Sequence, residues 1–282
     1  MRLATSLLLA SSLLFAGPQD DLELPTVQHA VPDEPPPDRW RPVVNIRFDG
    51  SIRIKHEIFY SRQTHDGRAD PFEHVRQWLA VAASKMETDF ADPESRTGLK
   101  IPDEPLLIRA DRSTPFEHIQ KVMELCGERG VFIWKIQLAC RMPDGDDGRL
   151  TAYLPKDVRE FLGPAEEAER VEVRIRVRQP GTKLEPGEGK KPVTSDSNRF
   201  VYGDDRELEY AVGPFETADP AALEQRLTKI HQARSSAEGP TVPILVDARP
   251  GTTYEDVTEA LDAILAAGFA DVLFARADDE GE

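Results

Sequence analysis

An internal duplication constrains the fold of this chain more than any other feature of its sequence. The segments that begin at Pro105 and Pro243 align without a gap, at a constant offset of 138 residues. Their pattern of apolar and polar positions agrees much better than their letters do. Self-similarity at a fixed distance is typical of a structural unit that occurs more than once. The identical positions are Pro105/Pro243, Leu107/Leu245, Ala110/Ala248, Thr114/Thr252, Glu117/Glu255, Gly130/Gly268 and Ala139/Ala277.

Each copy is predicted to contain a strand, a helix and a second strand. The first strands are the apolar runs 106–110 and 244–248. A Thr-x-x-Glu pattern follows each run and predicts a capping box, with Thr114 or Thr252 at the N-cap. Apolar residues then recur at i, i+3, i+4 and i+7, so one face of each helix is expected to lie against a sheet. These residues are Ile119, Val122, Met123 and Cys126 in the first copy, and Val257, Ala260, Leu261 and Ile264 in the second.

Proline and glycine mark the expected ends of the helices. Pro115 fits the first helical position, whereas Gly130 and Gly268 fit the left-handed position that follows a helix. Upstream, the dipeptides Asp70-Pro71 and Asp219-Pro220 each predict an N-cap followed by a proline. Each copy is therefore expected to have a second helix before its duplicated strand.

Strands that alternate apolar and polar residues precede these helices. In the first copy, Asp49-Gly50 separates two such strands and predicts a hairpin. In the second, residues 171–178 alternate valine and isoleucine with glutamate and arginine. Residues 150–154 are expected to pair with 133–138 as a further hairpin. The sequence thus predicts an α+β fold of two tandem domains, each a small mixed sheet with two helices on one face.

The order of these elements resembles the extracytoplasmic domain of the ExbD/TolR family, over about two-thirds of the chain. The resemblance depends on segments 46–50, 107–111 and 115–131, which carry the Asp-Gly turn, the strand that ends in Ala-Asp, and the Pro-Phe helix start with its closing glycine. The second copy has Arg249 at the position of Asp111 and is the weaker match. The family-motif positions are Asp49, Gly50, Ala110, Asp111, Pro115, Phe116 and Gly130 in the first copy, and Asp247, Tyr254 and Gly268 in the second.

The resemblance implies a non-enzymatic protein of the cell envelope. Members of the family are inner-membrane partners of ExbB/TolQ-type proton channels in biopolymer transport, and the TolR branch is associated with peptidoglycan. ExbB/TolQ- or TonB-type envelope proteins or peptidoglycan are therefore the implied partners. The family's proton-coupling aspartate lies in an N-terminal transmembrane helix. Residues 3–16 form an apolar run that is too short for such a helix and contains no aspartate, so we do not expect the motor role to transfer.

The N-terminus predicts export. Arg2, the apolar run and the small residue Ala16 at its end are typical of a secretory signal peptide. We expect a periplasmic or extracellular protein; the alternative is an inner-membrane anchor with the folded part facing the periplasm. The expected organisation is a signal peptide or short anchor (1–16), a proline-rich tether (17–42), a first ExbD/TolR-like domain (43–157), a linker (158–170), a second such domain (171–278) and an acidic tail (279–282).

Composition excludes several classes of function. The chain has 51 acidic and 35 basic residues and a net charge of −16, so it repels phosphate backbones and we expect no nucleic-acid partner. Two cysteines cannot supply a disulfide framework or a four-ligand zinc site. We expect Cys126 in the core and Cys140 as a free thiol, because the intervening strand separates them by roughly 20 Å.

No specific catalytic motif is present, so we expect no catalytic, cofactor-binding or metal-binding residue. The alternative is a secreted hydrolase that uses two carboxylates on the loops at strand ends. The candidate pairs are Asp111 with Glu117, and Asp247 with Glu255. This alternative requires the acids to line one concave pocket.

The two copies are expected to pack together as a pseudo-dimer with approximate twofold symmetry, because a symmetric pair is the usual way to satisfy such a surface. An edge strand is the expected contact. Residues 171–178 are the candidate edge, since Arg174, Arg176 and Arg178 could meet acidic residues of the first copy. The alternative is that the linker holds the two copies apart.

Overall fold

The computed structural model describes residues 22–34, 40–90, 100–154, 170–187, 191–193, 199–235 and 242–275. The predicted signal segment 1–16, residues 158–169 of the linker and the tail 279–282 lie outside these residues. The strands are β1 (Val31–Pro32), β2 (Val43–Ile46), β3 (Ile52–Ile54), β4 (Glu57–Tyr60), β5 (Thr88–Phe90), β6 (Lys100–Pro102), β7 (Leu106–Ala110), β8 (Lys135–Arg141), β9 (Asp147–Tyr153), β10 (Val171–Gln179), β11 (Lys183–Leu184), β12 (Val201–Tyr202), β13 (Glu207–Val212), β14 (Phe215–Thr217), β15 (Ile244–Ala248) and β16 (Val272–Phe274). The helices are α1 (Arg62–His65), α2 (Glu73–Ala83), α3 (Phe116–Gly127), α4 (Pro220–Ser235) and α5 (Tyr254–Ala266).

Twelve strands form one continuous mixed sheet. Eleven of them follow the order β14-β13-β10-β15-β16-β9-β8-β7-β2-β3-β4, and β1 pairs with β9 beside this path. The α+β class and the mixed sheet confirm the broad prediction. The two predicted domains are not separated in this sheet, because β9 pairs with β8 on one side and, through Tyr153 and Leu273, with β16 on the other.

The same strand order occurs twice within the sheet. We call residues 40–154 the first half and residues 170–275 the second half. The first half has the order β8-β7-β2-β3-β4, and the second has β16-β15-β10-β13-β14. Directions agree as well: β2 is parallel to β7 and antiparallel to β3, as β10 is parallel to β15 and antiparallel to β13. The duplicated sequence therefore builds two sets of strands with one topology.

A single hydrophobic core extends through both halves. Apolar side chains of α2, α3, α4 and α5 pack against one face of the sheet, as the amphipathic pattern predicts. Every residue of the two predicted stripes is buried, and the strands predicted at 106–110 and 244–248 have those bounds. The second strand of each copy, which the apolar runs 131–139 and 269–275 predict, begins later than expected: β8 begins at Lys135 and β16 begins at Val272.

Both predicted hairpins of the first half are present. The Asp49-Gly50 turn joins β2 to β3, with Gly50 at a φ of +75°. This left-handed conformation favours glycine because other residues place a Cβ close to the backbone. Strands β8 and β9 form the second hairpin, in which Leu138 is opposite Leu150.

Part of the predicted proline-rich tether belongs to the fold. Residues 22–34 cross the end of the β8–β9 hairpin, where the Val27 N–H donates to the Arg141 carbonyl (2.9 Å) and Val31 pairs with Arg149. Leu24 is buried with Leu107 on the face of the sheet opposite the helices. Only Pro25 and Pro32 in this stretch lack a backbone N–H, so its other residues can donate to strand carbonyls.

Strand β10 is not an edge strand, which contradicts the prediction made for residues 171–178. It lies inside the sheet, between β13 and β15. Its arginines pair within the second half: Arg174 with Asp247 (3.0 Å), and Arg176 and Arg178 with Glu209 (2.7 and 2.5 Å). Alternation alone cannot identify an edge, because an interior strand with one open face has the same pattern.

Both predicted N-caps are displaced by one residue, and a capping box is present only in α5. In α5 the N-cap is Thr253, whose side chain forms a capping box with Asp256. The predicted N-cap, Thr252, instead donates its hydroxyl to the Arg249 carbonyl (2.9 Å). In α3 the N-cap is Pro115, which was expected at the first helical position, and no side chain caps this helix.

The other helix ends agree with the sequence in part. Asp219 caps α4 as predicted, because its carboxylate accepts from the Ala221 N–H (2.9 Å). Helix α2 begins later than predicted, since Asp70 accepts from the Phe72 N–H (3.1 Å) in a turn before the helix. At the end of α5, Gly268 has a φ of +94°.

The backbone bonds around Gly268 complete a Schellman motif, which confirms it as a C-cap glycine. Its N–H donates to the Leu265 carbonyl (2.9 Å), and the Phe269 N–H donates to the Ile264 carbonyl (3.3 Å). Gly130 has the same φ of +94° but lies farther beyond the end of α3, in the turn that follows it.

Candidate functional site

Motif positions from both halves meet at one place, which we call the junction. It consists of loops 111–115 and 249–253 together with the first residues of α3 and α5. The Phe116 N–H donates to the Thr252 carbonyl (2.9 Å), and the Tyr254 N–H donates to the Thr114 carbonyl (2.8 Å). Pro115 forms an antiparallel bridge with Thr253. Each contact joins residues whose counterparts form the reciprocal contact, so the two loops are related by an approximate twofold axis.

Aromatic side chains are exchanged across the junction. Tyr254 of the second half is fully buried, and its hydroxyl donates to the Ala139 carbonyl of the first half (2.8 Å) and contacts the Ile108 carbonyl (3.4 Å). Phe116 of the first half is fully buried against Phe274 of the second, with ring centroids 5.6 Å apart. Burial raises the pKa of the Tyr254 hydroxyl well above its usual value, so it stays a hydrogen-bond donor.

Asp111 organises the first of the two loops. Its side chain has no exposed surface, accepts from the N–H and hydroxyl of Ser113 (3.2 and 2.8 Å), and pairs with Arg199 (2.7 Å). The Glu23 N–H also donates to it (3.2 Å), which fastens the N-terminal segment to the junction. This aspartate therefore fixes the loop and does not face solvent.

The second half has the opposite charge order at the equivalent strand end. Asp247 takes the position of Arg109, and Arg249 takes the position of Asp111. The Asp247 carboxylate pairs with Arg249 (2.8 Å) and with Arg174 (3.0 Å). One acid and one arginine thus occupy the same two positions at the ends of β7 and β15, but Asp111 pairs with Arg199 and only the first half buries its acid completely.

The remaining motif residues lie where the strands and helices turn. A Cβ at Gly50 would come within 2.5 Å of the His118 ring, so the Asp49-Gly50 turn packs directly against α3. Burial lowers the pKa of His118, since it disfavours the charged imidazole. Ala110 is buried at the end of β7. Gly268 is adjacent to the His231 ring, which a Cβ there would approach to 3.2 Å.

An ion pair crosses the junction beside the exchanged aromatics. Arg112 of the first half forms a bidentate ion pair with Glu255 of the second half. Its Nε lies 3.0 Å from Oε2 of Glu255. Arg112 also reaches Glu23 (3.4 Å), and its carbonyl accepts from the Glu255 N–H (3.1 Å). Burial raises the pKa of Glu255 despite the neighbouring arginine.

A cavity of about 660 Å³ opens beside Glu255, between the start of α5 and the β13 end of the sheet. We call it the acidic cavity. Inside it, Arg206 binds both carboxylate oxygens of Asp256 (2.7 and 2.6 Å), and both side chains are more than nine-tenths buried. Its lining residues are Arg178, Tyr202, Arg206, Glu207, Leu208, Glu209, Glu216, Thr217, Ala218, Glu255, Asp256 and Glu259.

Glu259 is the most perturbed carboxylate of the acidic cavity. Burial, together with the charges of Glu255 and Asp256, raises its pKa to about 7. The Tyr210 hydroxyl contacts it at 3.5 Å, and burial raises the pKa of that hydroxyl above its usual range. A carboxyl group with this pKa can exchange a proton near neutral pH.

The structure does not bring together the carboxylate pairs considered for a hydrolase. Asp111 is fully buried, whereas Glu117 is exposed. Asp247 pairs with arginines on the open face of the sheet, whereas Glu255 pairs with Arg112 at the junction. Sequence reasoning also missed Arg206 and Glu259, because only the tertiary fold places them beside Asp256.

The described residues contain neither a cluster of metal ligands nor a membrane-spanning helix. No group of three or more histidine, cysteine, aspartate or glutamate side chains is arranged to hold a metal ion in this part of the chain. Within the same residues, no helix combines the length and the apolar character needed to span a bilayer. Compared with known proteins, the chain matches no family model, no curated protein and no solved structure.

Proposed function

We propose that the protein is a non-enzymatic binding module of the cell envelope, built from two ExbD/TolR-like units that form a pseudo-dimer within one chain. The observation that carries this proposal is the reciprocal contact between 114–116 and 252–254. The same motif positions of both copies meet there, and their buried groups are used in holding the halves together. A pair of fused units is a rigid platform for a partner and does not by itself supply a reactive group.

The proposed partners are ExbB/TolQ- or TonB-type envelope proteins or peptidoglycan, and the proposed location is the periplasm or cell exterior. The motif resemblance and the apolar run of residues 3–16 support both proposals. An anchored protein facing the periplasm is the alternative location. Mass spectrometry of the native N-terminus decides between them, since a cleaved protein begins near residue 17 and an anchored one retains the run.

Two binding experiments test the proposed role. The full chain is used as bait in envelope extracts under native conditions, and separately incubated with purified peptidoglycan that is then sedimented. A variant that weakens the junction, Tyr254→Ala, is the control for recognition by the paired units. We expect wild type to retain an envelope protein or to co-sediment, and the variant to do so less. Recovery of neither ligand by the wild-type chain would contradict the proposal.

A second candidate function is supported by the acidic cavity. Glu259 has a pKa of about 7, lies one helical turn from Glu255 and lines a cavity large enough for a small substrate. Such a carboxyl group suits general acid–base catalysis of a hydrolytic reaction. Chromogenic ester, peptide and glycoside substrates test this candidate. Activity that disappears in Glu259→Gln and persists in the exposed variant Glu117→Gln would favour it over a binding module.

A further inference from the structure

A second cavity, of about 540 Å³, lies at the opposite end of β10 and β13 from the acidic cavity. It is bounded by the start of β10, the β13–β14 turn and the last turns of α4. We call it the basic groove. Its charged lining residues are Arg170, Glu172, Arg174, Arg226 and Arg234.

The charge of the basic groove is opposite to that of the whole protein. Four arginines and a single carboxylate line it, although the chain has a net charge of −16. Arg174 is already paired with Glu172 and Asp247. Within the described residues, Arg170 and Arg226 form no ion pair, so their charge is available in the groove. Positive charge in a concavity attracts anions more strongly than the same charge on a convex surface.

Arg226 is held in a position that leaves a hydrogen-bond donor unused. Its Nε is buried and has no partner among the residues that the structure describes. The guanidinium lies 5.9 Å from the centre of the Phe215 ring, which restricts its orientation. Because no carboxylate of the described residues pairs with Arg226, its guanidinium keeps hydrogen-bond donors for an acceptor that binds in the groove.

The remaining walls of the groove are aliphatic. Val171, Val212 and Ile230 contribute them, together with Pro214 at the turn. The volume falls in the range of small-molecule sites, which combine apolar walls with a few convergent polar groups. Guanidinium groups bind planar carboxylates through two parallel hydrogen bonds.

We propose that the basic groove is a binding site for an aliphatic carboxylate, with the carboxylate at Arg170 and Arg226 and the hydrocarbon part against the aliphatic wall. Such a ligand can be a free small acid or the C-terminal carboxylate of a peptide. The proposal does not depend on the junction or on the envelope role, because no residue of the groove belongs to the junction.

Calorimetric titration of the full chain tests the site with defined probes. Hexanoate is expected to bind saturably and more tightly than acetate, because acetate lacks the chain that contacts the aliphatic wall. Hexanol, which has the chain without the charge, is expected to bind at least tenfold more weakly than hexanoate. A dileucine peptide with a free carboxylate, compared with its C-terminal amide, distinguishes a peptide end from a free small acid.

Variants separate the groove from general charge effects. Arg226→Gln keeps a polar side chain but removes the guanidinium charge, and it is expected to raise the Kd for hexanoate about tenfold or more, since a charge-assisted bond is lost. Arg170→Gln is expected to weaken binding in the same direction. The exposed Arg129 lies elsewhere, so Arg129→Gln should leave the Kd within twofold. Circular dichroism verifies that each variant is folded. The proposal would be overturned if hexanoate showed no saturable binding, or if it bound wild type and Arg226→Gln with equal affinity.

Discussion

Replacing Tyr254 by phenylalanine removes one oxygen atom from the centre of the junction and leaves the ring in place. The tyrosine hydroxyl donates to the Ala139 carbonyl at 2.8 Å and has no access to solvent. Because the tyrosine belongs to the second half and the carbonyl to the first, the bond links the two halves directly. The substitution therefore tests whether the junction stabilises the folded chain.

The expected loss follows from the burial of both partners. Removing the donor breaks a hydrogen bond and leaves a buried carbonyl with one partner fewer, which costs about 1–2 kcal/mol of unfolding free energy. The ring fills the same space afterwards, so no cavity adds to this cost. A loss of this size is expected to lower the melting temperature by a few degrees.

Urea unfolding of wild type and Tyr254→Phe measures the difference. Tyr153→Phe is the matched control, because Tyr153 stacks on Trp134 and its hydroxyl makes no hydrogen bond within the described residues. We expect the control to change stability by less than about 0.5 kcal/mol. Equal stability of wild type and Tyr254→Phe, with the slope of the transition unchanged, would refute the role assigned to this bond.

Three further predictions concern pH, backbone and thiols. Burial raises the pKa of Glu259 to about 7, above its unfolded value near 4.5, so the stability it contributes is complete below the unfolded pKa and is lost as the pH rises through 7; melting temperatures between pH 5 and pH 8 should fall less steeply in Glu259→Gln than in wild type. Gly268→Val should cost about 1 kcal/mol or more in chemical unfolding, because valine strains the left-handed position; unchanged stability would contradict the cap assignment. Burial raises the pKa of Cys140 to about 12 and that of Cys126 still higher, so neither thiol should react with a thiol reagent at pH 8 before the chain unfolds; rapid labelling of the native protein would contradict their burial.

Local patterns predicted the elements of this fold well. Strands 106–110 and 244–248 and the buried stripes of α3 and α5 follow from runs and periods that the sequence displays directly. Helix starts were less accurate because several threonines and acids compete for the cap. At α5, the junction engages Thr252 through its carbonyl, and Thr253 becomes the cap.

Long-range arrangement could not be read from the sequence in the same way. An alternating strand such as β10 looks alike inside a sheet and at its edge, and the insertion of β15 beside it depends on pairing between distant residues. The same holds for the candidate sites. Arg206 and Asp256 are 50 positions apart in the sequence, and Arg170 and Arg226 are 56 positions apart, so no local motif predicts either cavity.

The two copies form one folded unit through the junction, and urea unfolding followed with two probes measures whether the two halves unfold together. All three tryptophans, Trp40, Trp78 and Trp134, lie in the first half, so their fluorescence reports on that half, whereas far-ultraviolet circular dichroism reports on both. Leu227→Ala destabilises the second half, because Leu227 is fully buried in α4 and its truncation costs about 2–5 kcal/mol. If the halves unfold together, the tryptophan transition of this variant moves to lower urea and coincides with the circular dichroism transition. A tryptophan transition that stays at its wild-type midpoint while the circular dichroism splits into two steps would contradict the claim.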